Sequence, residues 1–183
     1  MIEVRIHGRG GQGAVIAGKI LACALFKEDK WVQSFPAFGV ERRGAPVAAF
    51  TRFADEKILV RNNIYEPHHV VVLDPTLISV GHVTDGLAKN GWILVNSRGN
   101  VNPEGLEEFR VATVDASTIA LDHGLGSRAA PIVNTSILGG FARATGLVKI
   151  ESIVAAIRDE VPFSPDENAA AARAAYDATV LPN

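Results

Sequence analysis

The sequence predicts a single α/β domain over residues 1–183, Rossmann-like and three-layered, with a mostly parallel sheet and helices at its C-terminal end. Three observations predict it. Short runs rich in valine and isoleucine alternate with stretches of helical periodicity, the pattern of strands joined by crossover helices. The first of these runs meets a helix through a glycine-rich loop, with Gly8, Gly10, Gly11 and Gly13 inside six positions. The last third of the chain is helical, with recognisable start and stop residues. At 183 residues and 48% hydrophobic composition, one substantial core is expected and no second domain is needed.

Each element follows from its own pattern. Ile2 to Ile6 reads as the first strand, and its Val/Ile content suits a sheet covered on both faces. After the glycines, Ala17, Ile20, Leu21 and Ala24 recur at i, i+3, i+4, i+7 and mark the buried face of a helix. Lys30 to Pro36 reads as a short strand, Pro46 to Phe53 as a better one, and His68 to Asp74 as the best. Trp92 to Asn96 and Phe109 to Ala116 complete the strands. A helix is expected over Ala130 to Gly146, with Pro131 near its start and Gly146 as its stop. The stripe Ile150, Ile153, Val154, Ile157, Val161 forms the next helix and halts at Pro162. Ser164, Pro165 and Glu167 read as N-cap, N1 and N3 of the last helix, a capping box, with Asp166 and Glu167 at the positive end of its dipole.

Composition excludes several classes. The net charge is −2 with no basic block, so nucleic acid is not an expected partner. No apolar run approaches the roughly 18–20 residues that span a bilayer, so no membrane association is expected. Glu3 and Arg5 interrupt the first apolar run, which argues against a secretory leader. Cys23 is the one cysteine: it permits no internal disulfide, suits a reducing cytoplasm, and cannot alone supply the four thiolates of an iron–sulfur cluster.

The glycine loop satisfies G-x-G-x-x-G at Gly8, Gly10 and Gly13, in the strand–loop–helix context where free N–H groups favour an anion. A dinucleotide reading also wants an acid about 20 residues on, yet Gln33 and Ser34 stand there, and Glu28 and Asp29 precede the strand. Gly13, Gly18 and Lys19 spell a near P-loop, but Ile20 replaces the magnesium-binding hydroxyl and the stretch is helical. The plain alternative is that the glycines permit a tight turn and close packing. The second unusual stretch runs from Phe35 to Phe53. There Phe35 and Phe38 flank Pro36 beside Glu41, Arg42, Arg43 and Gly44. Adjacent arginines form a fork for carboxylate or phosphate, or a solvated pair balancing Glu41, and loop aromatics beside charges suit an interface.

Taken together, "GRGGQGA" (Gly8 to Ala14), "FPAFGVERRGAPV" (Phe35 to Val47) with "FTRF" after it, and "VNTSILGG" (Val133 to Gly140) resemble the gamma subunits of 2-oxoacid:acceptor (ferredoxin) oxidoreductases of the pyruvate synthase type. The C-terminal helix with Asn168 and Tyr176 fits the same family, and the resemblance covers nearly the whole chain. It implies a multi-subunit enzyme that oxidatively decarboxylates a 2-oxoacid with coenzyme A to acyl-CoA, carbon dioxide and a reduced acceptor. It also implies alpha, beta and ferredoxin-like delta partners, with thiamine diphosphate, Mg2+ and [4Fe–4S] clusters on those sister subunits. The present sequence agrees: no Gly-Asp-Gly precedes Asn62-Asn63, and the cluster cysteines are missing.

On that resemblance the chain holds no tightly bound cofactor and no catalytic residue of its own. Its expected part is docking and a share of the coenzyme A site. Gly8, Gly10, Gly11, Gln12 and Gly13 with Arg42, Arg43 and Asn134 are the candidates, because CoA carries a diphosphate and a 3′-phosphate. Each has a structural alternative: Gln12 as a helix cap, Asn134 bonded to a loop, the arginines paired with a sister subunit. The rival functions are a stand-alone dinucleotide-binding dehydrogenase or sensor, and a purely structural subunit. Elsewhere, His68 and His69 point to opposite faces and cannot chelate one metal, His7 is expected to be packed, Asp74 either contacts a ligand or starts a turn, and Cys23 is expected in the core.

Overall fold

The structure, a computed structural model, describes residues 1–37, 43–80, 82–99, 101 and 105–182. Its chain order is β1 (Ile2–Arg9), α1 (Ala14–Phe26), β2 (Trp31–Pro36), β3 (Pro46–Ala54), β4 (His69–Val72), α2 (Leu77–Val80), β5 (Trp92–Asn96), β6 (Arg110–Val114), α3 (Ala116–Asp122), β7 (Gly126–Ser127), β8 (Ala130–Pro131), α4 (Ser136–Thr145), α5 (Ile150–Glu160) and α6 (Pro165–Ala178). Six strands form one sheet in the order β2-β3-β1-β4-β5-β6. β1, β4, β5 and β6 pair in parallel, whereas β3 runs antiparallel to both β1 and β2. The sheet is therefore mixed and mostly parallel, as the alternating pattern predicts.

Side-chain alternation along β1 assigns the two faces. Val4 and Ile6 are fully buried with Val71, Leu94 and Ala112 under α1, α4, α5 and α6, which all lie on this face. The helices sit close because glycine lets them. A Cβ on Gly18 would lie 3.2 Å from the Thr51 hydroxyl, which instead donates to the Gly18 carbonyl at 3.1 Å. A Cβ on Gly139 would overlap the Ala172 carbonyl oxygen across the α4–α6 contact.

The other face is covered mainly by irregular chain. Val70, Val72, Ile93 and Val95 pack under Leu77, Val83, Leu87 and Leu106. Two buried arginines pin these loops. Arg5 donates to the carbonyls of Val83 and Asp85 at 3.1 and 2.6 Å. Arg52, fully buried, donates to those of Val60 and Asn62 at 3.3 and 2.8 Å and pairs with Glu3 at 2.9 Å. Each guanidinium turns otherwise unsatisfied loop carbonyls into partners.

Three local expectations are revised. Ala130 and Pro131 do not enter a helix: they pair with Gly126 and Ser127 in a small hairpin, and α4 starts at Ser136 after Thr135. A helix is added at Ala116–Asp122, where the Asp115 side chain accepts from Thr118 N at 3.0 Å. The capping box at Ser164 does not form, because Ser164 is left-handed (φ 48°) and its side chain makes no cap bond. Asn168 serves that turn instead, donating to the carbonyls of Phe163 and Ser164. The stop at Gly146 is as expected, left-handed at φ 64°. Among the described residues no helix is long and apolar enough to cross a membrane.

Candidate functional site

The glycine loop lies at the C-terminal ends of the parallel strands β1 and β4, where open α/β sheets present ligand-contacting groups. Gly13 is the residue before α1, left-handed at φ 79°, and Gly11 is left-handed at φ 98°. The turn between them needs glycine on backbone grounds alone. Gln12 does not cap the helix. Its Oε1 accepts from Arg9 N at 2.7 Å and its Nε2 reaches Asp74 Oδ2 at 3.4 Å, so the side chain folds back and locks the turn. Among the described residues, the N–H groups of Gly11, Gly13, Ala14, Val15 and Ile16 find no acceptor. Among the described residues, the first turn of this 13-residue helix thus has donors without partners at its positive end.

The loop has two neighbours. Asn134 rests against Gly13: a Cβ there would come within 2.5 Å of Asn134 Nδ2. Asn134 is buried, and its Oδ1 has no partner among the described residues. The segment before β3 crosses Gly10 on the other side. Gly44 N donates to Gly10 O at 3.0 Å, Gly10 N donates to Ala45 O at 2.9 Å, and Arg43 bridges Gly10. Arg43 is exposed beside the loop. Arg42, with Phe38 and Glu41, lies outside the described residues.

One residue that sequence reasoning passed over ties these parts together. Arg9 donates from Nε to Asp74 Oδ2 at 2.9 Å, from Nη1 to Gly44 O at 3.1 Å and from Nη2 to Thr76 Oγ1 at 2.7 Å. Asp74 also accepts from Thr76 N and Oγ1 at 3.0 and 2.6 Å, which makes it both the start of a turn and a partner of the loop. Burial raises the Asp74 carboxyl pKa, but the Thr76 bonds and the Arg9 guanidinium outweigh it and hold it below the usual range. The basic residue inside the glycine motif was the available signal.

Two of the histidines, His68 and His69, are structural acceptors. His68 Nδ1 accepts from Glu3 N at 3.1 Å, and His69 Nδ1 accepts from Trp92 N at 3.2 Å. Burial, with His68 and Arg110 nearby, pushes His69 down to about 4. Burial and Arg5 push His7 down to about 3. Cys23 is half-buried, and burial followed by Glu160 raises its thiol pKa, which suppresses the reactive thiolate. Among the described residues, no three His, Cys, Asp or Glu side chains lie close enough to hold a metal ion. A cleft of about 840 Å³ beside α3, lined by Arg98, Thr118 and Arg128, contains none of the candidates.

Comparison with known proteins follows the same lines. The model of the pyruvate ferredoxin/flavodoxin oxidoreductase family matches residues 3–178. The common gamma subunit of the pyruvate/ketoisovalerate oxidoreductases of Thermococcus litoralis is 54% identical, over 99% of this chain and 98% of that one. The PorC subunit of pyruvate synthase from Methanothermobacter marburgensis is 51% identical over 97% of each. The crystal structure of the pyruvate oxidoreductase subunit PORC of Thermotoga maritima superposes with a TM-score of 0.83 at 34% identity, covering 100% of this chain and 98% of the other. The chain belongs to the pyruvate ferredoxin/flavodoxin oxidoreductase family, as one of its gamma subunits.

Proposed function

We propose that this chain completes a cytoplasmic, multi-subunit 2-oxoacid oxidoreductase that forms acyl-CoA, and that it shapes the complex and holds the phosphates of coenzyme A. The observation that carries the reading is the set of N–H groups at the start of α1 that find no acceptor among the described residues, in the loop whose Gly10 lies against exposed Arg43. A helix N-terminus and a guanidinium offer what a diphosphate needs: fixed donors and positive charge. Gly8, Gly10, Gly11, Gln12 and Gly13 build this cradle, Asn134 supports it through Gly13, and Arg42, outside the described residues, is a further candidate for the phosphates by residue type.

The relatives' descriptions favour the same division of labour. A gamma subunit common to a pyruvate and a ketoisovalerate enzyme serves both, so it contacts what the two reactions share rather than the acid side chain that differs. The donor set here does not fit a cluster, since the chain has one cysteine and a [4Fe–4S] group typically takes four. Thiamine diphosphate, Mg2+ and the clusters therefore fall to the alpha, beta and delta partners in this reading, with ferredoxin or another acceptor outside the complex.

The dinucleotide alternative loses support from the strand order. β3 separates β1 from β2, so the strand that would bring a ribose-binding acid is not beside the loop, and residues 43–45 occupy that flank. The test uses the assembled complex. Arg43→Ala is expected to raise the half-saturating CoA concentration about tenfold, the size of one lost hydrogen bond to a charged group, with the half-saturating 2-oxoacid concentration unmoved. An unchanged CoA response refutes Arg43's assignment and favours the purely structural subunit.

A further inference from the structure

The geometry points to Arg9 as a positioning residue: a clasp, anchored by Asp74, that fixes residues 43–45 against the glycine loop and so sets where Arg43 meets a phosphate. This rests on the reading of the loop as a CoA-phosphate site. Arg9 sits at the end of β1, one residue before Gly10. Its Nε, Nη1 and Nη2 each have a partner, and the partners belong to two segments that are remote in sequence. Two of them, Asp74 and Thr76, follow β4. The third is the Gly44 carbonyl, next to Arg43.

Gln12 completes the anchor from the other side. It accepts from the Arg9 backbone and approaches the same Asp74 oxygen that Arg9 Nε uses. The Asp74 carboxylate thus gathers donors from Arg9, Gln12 and Thr76, and its side chain is only 17% exposed. Three of the five guanidinium N–H donors, one on each nitrogen, are spent on holding these two segments, which is the orienting role assigned to Arg9.

Lysine cannot take over this role. A guanidinium is a planar fork whose donors reach three partners in different directions, whereas an ammonium is a single point. The Gly10–Gly44 and Gly10–Ala45 hydrogen bonds join the same two segments as the Arg9–Gly44 contact, so their exchange reports on the clasp without any ligand.

The experiment compares Arg9→Ala, Arg9→Lys and Asp74→Asn in the assembled complex, the last keeping side-chain shape where the alanine variant fails to assemble. Hydrogen–deuterium exchange over residues 43–48, measured without CoA, is expected to accelerate in all three variants. The half-saturating CoA concentration is expected to rise about tenfold in Arg9→Ala and to stay raised in Arg9→Lys, with the 2-oxoacid response as the internal contrast. Arg43→Ala should add less than about twofold in the Arg9→Ala background, because an arm already released no longer presents Arg43.

Unchanged exchange overturns the clasp, whatever CoA does. Faster exchange with the full Arg43 effect retained in both backgrounds overturns the positioning role while leaving the CoA reading intact. If Arg43→Ala alone fails to move the CoA response, the CoA reading falls and with it Arg9's part in phosphate positioning; exchange then decides whether the mechanical clasp stands.

Discussion

Replacing Gly13 by alanine separates what the glycine loop needs for folding from what it offers a ligand. Two costs can be worked from the structure. Gly13 is left-handed at φ 79°, a conformation that costs a Cβ-bearing residue roughly 1–2 kcal/mol. The new Cβ would also stand 2.5 Å from Asn134 Nδ2 and 3.0 Å from its Cγ, so the buried amide must move, an overpacking cost of about 1–3 kcal/mol. Gly13→Ala is therefore expected to destabilise the chain by roughly 2–5 kcal/mol. Asn134→Ala alone should cost about 1 kcal/mol, near the mean for a point substitution, since Oδ1 has no partner to lose among the described residues. The double variant keeps only the backbone cost and should recover about 1–3 kcal/mol relative to additivity. Equilibrium urea unfolding of the full chain, followed by circular dichroism, measures all three. A Gly13→Ala cost below about 1 kcal/mol, or strictly additive changes, refutes the reasoning.

Two further outcomes follow from the covered faces. Arg52→Met should lower unfolding stability by about 3–5 kcal/mol, the scale for breaking a buried ion pair, because Glu3 and the carbonyls of Val60 and Asn62 lose their partner; a loss under about 1 kcal/mol in urea titration would show the pair to behave like a surface one. Stability should also fall with acidification. His7 and His69 have folded pKa values of about 3 and about 4, below the ordinary 6.5, so from pH 6.5 downwards the unfolded chain takes up protons that the folded chain refuses. Each contributes a limiting slope of about 1.4 kcal/mol per pH unit, and stability that is flat between pH 6.5 and 4.5 contradicts the buried-neutral assignment.

Much of the fold was legible because its signals are local. The apolar periodicities of α1 and α5, the strand runs and the Gly146 stop each depend on residues within a few positions of one another. Asp115 with Thr118 was a readable helix start as well, hidden because the preceding strand pattern runs into it. Pro131 misled for the converse reason: proline suits the first turn of a helix and an edge position alike. Ser164 suited a capping box by residue type, but a left-handed backbone carries the side chain away from the N–H groups it would cap.

By itself, then, the sequence determined the α/β class, the strand–glycine loop–helix unit and the motif set that marks the family. It determined the missing cluster cysteines too, since a count needs no coordinates. The tertiary structure decided that β3 lies between β1 and β2, that Arg5 and Arg52 are buried to hold loops, and that Arg9 meets Asp74 across 65 residues of sequence. Residue type and spacing report short-range backbone preference. Which of two faces a charged residue occupies, and what waits there to satisfy it, is fixed by chain that returns from far along the sequence.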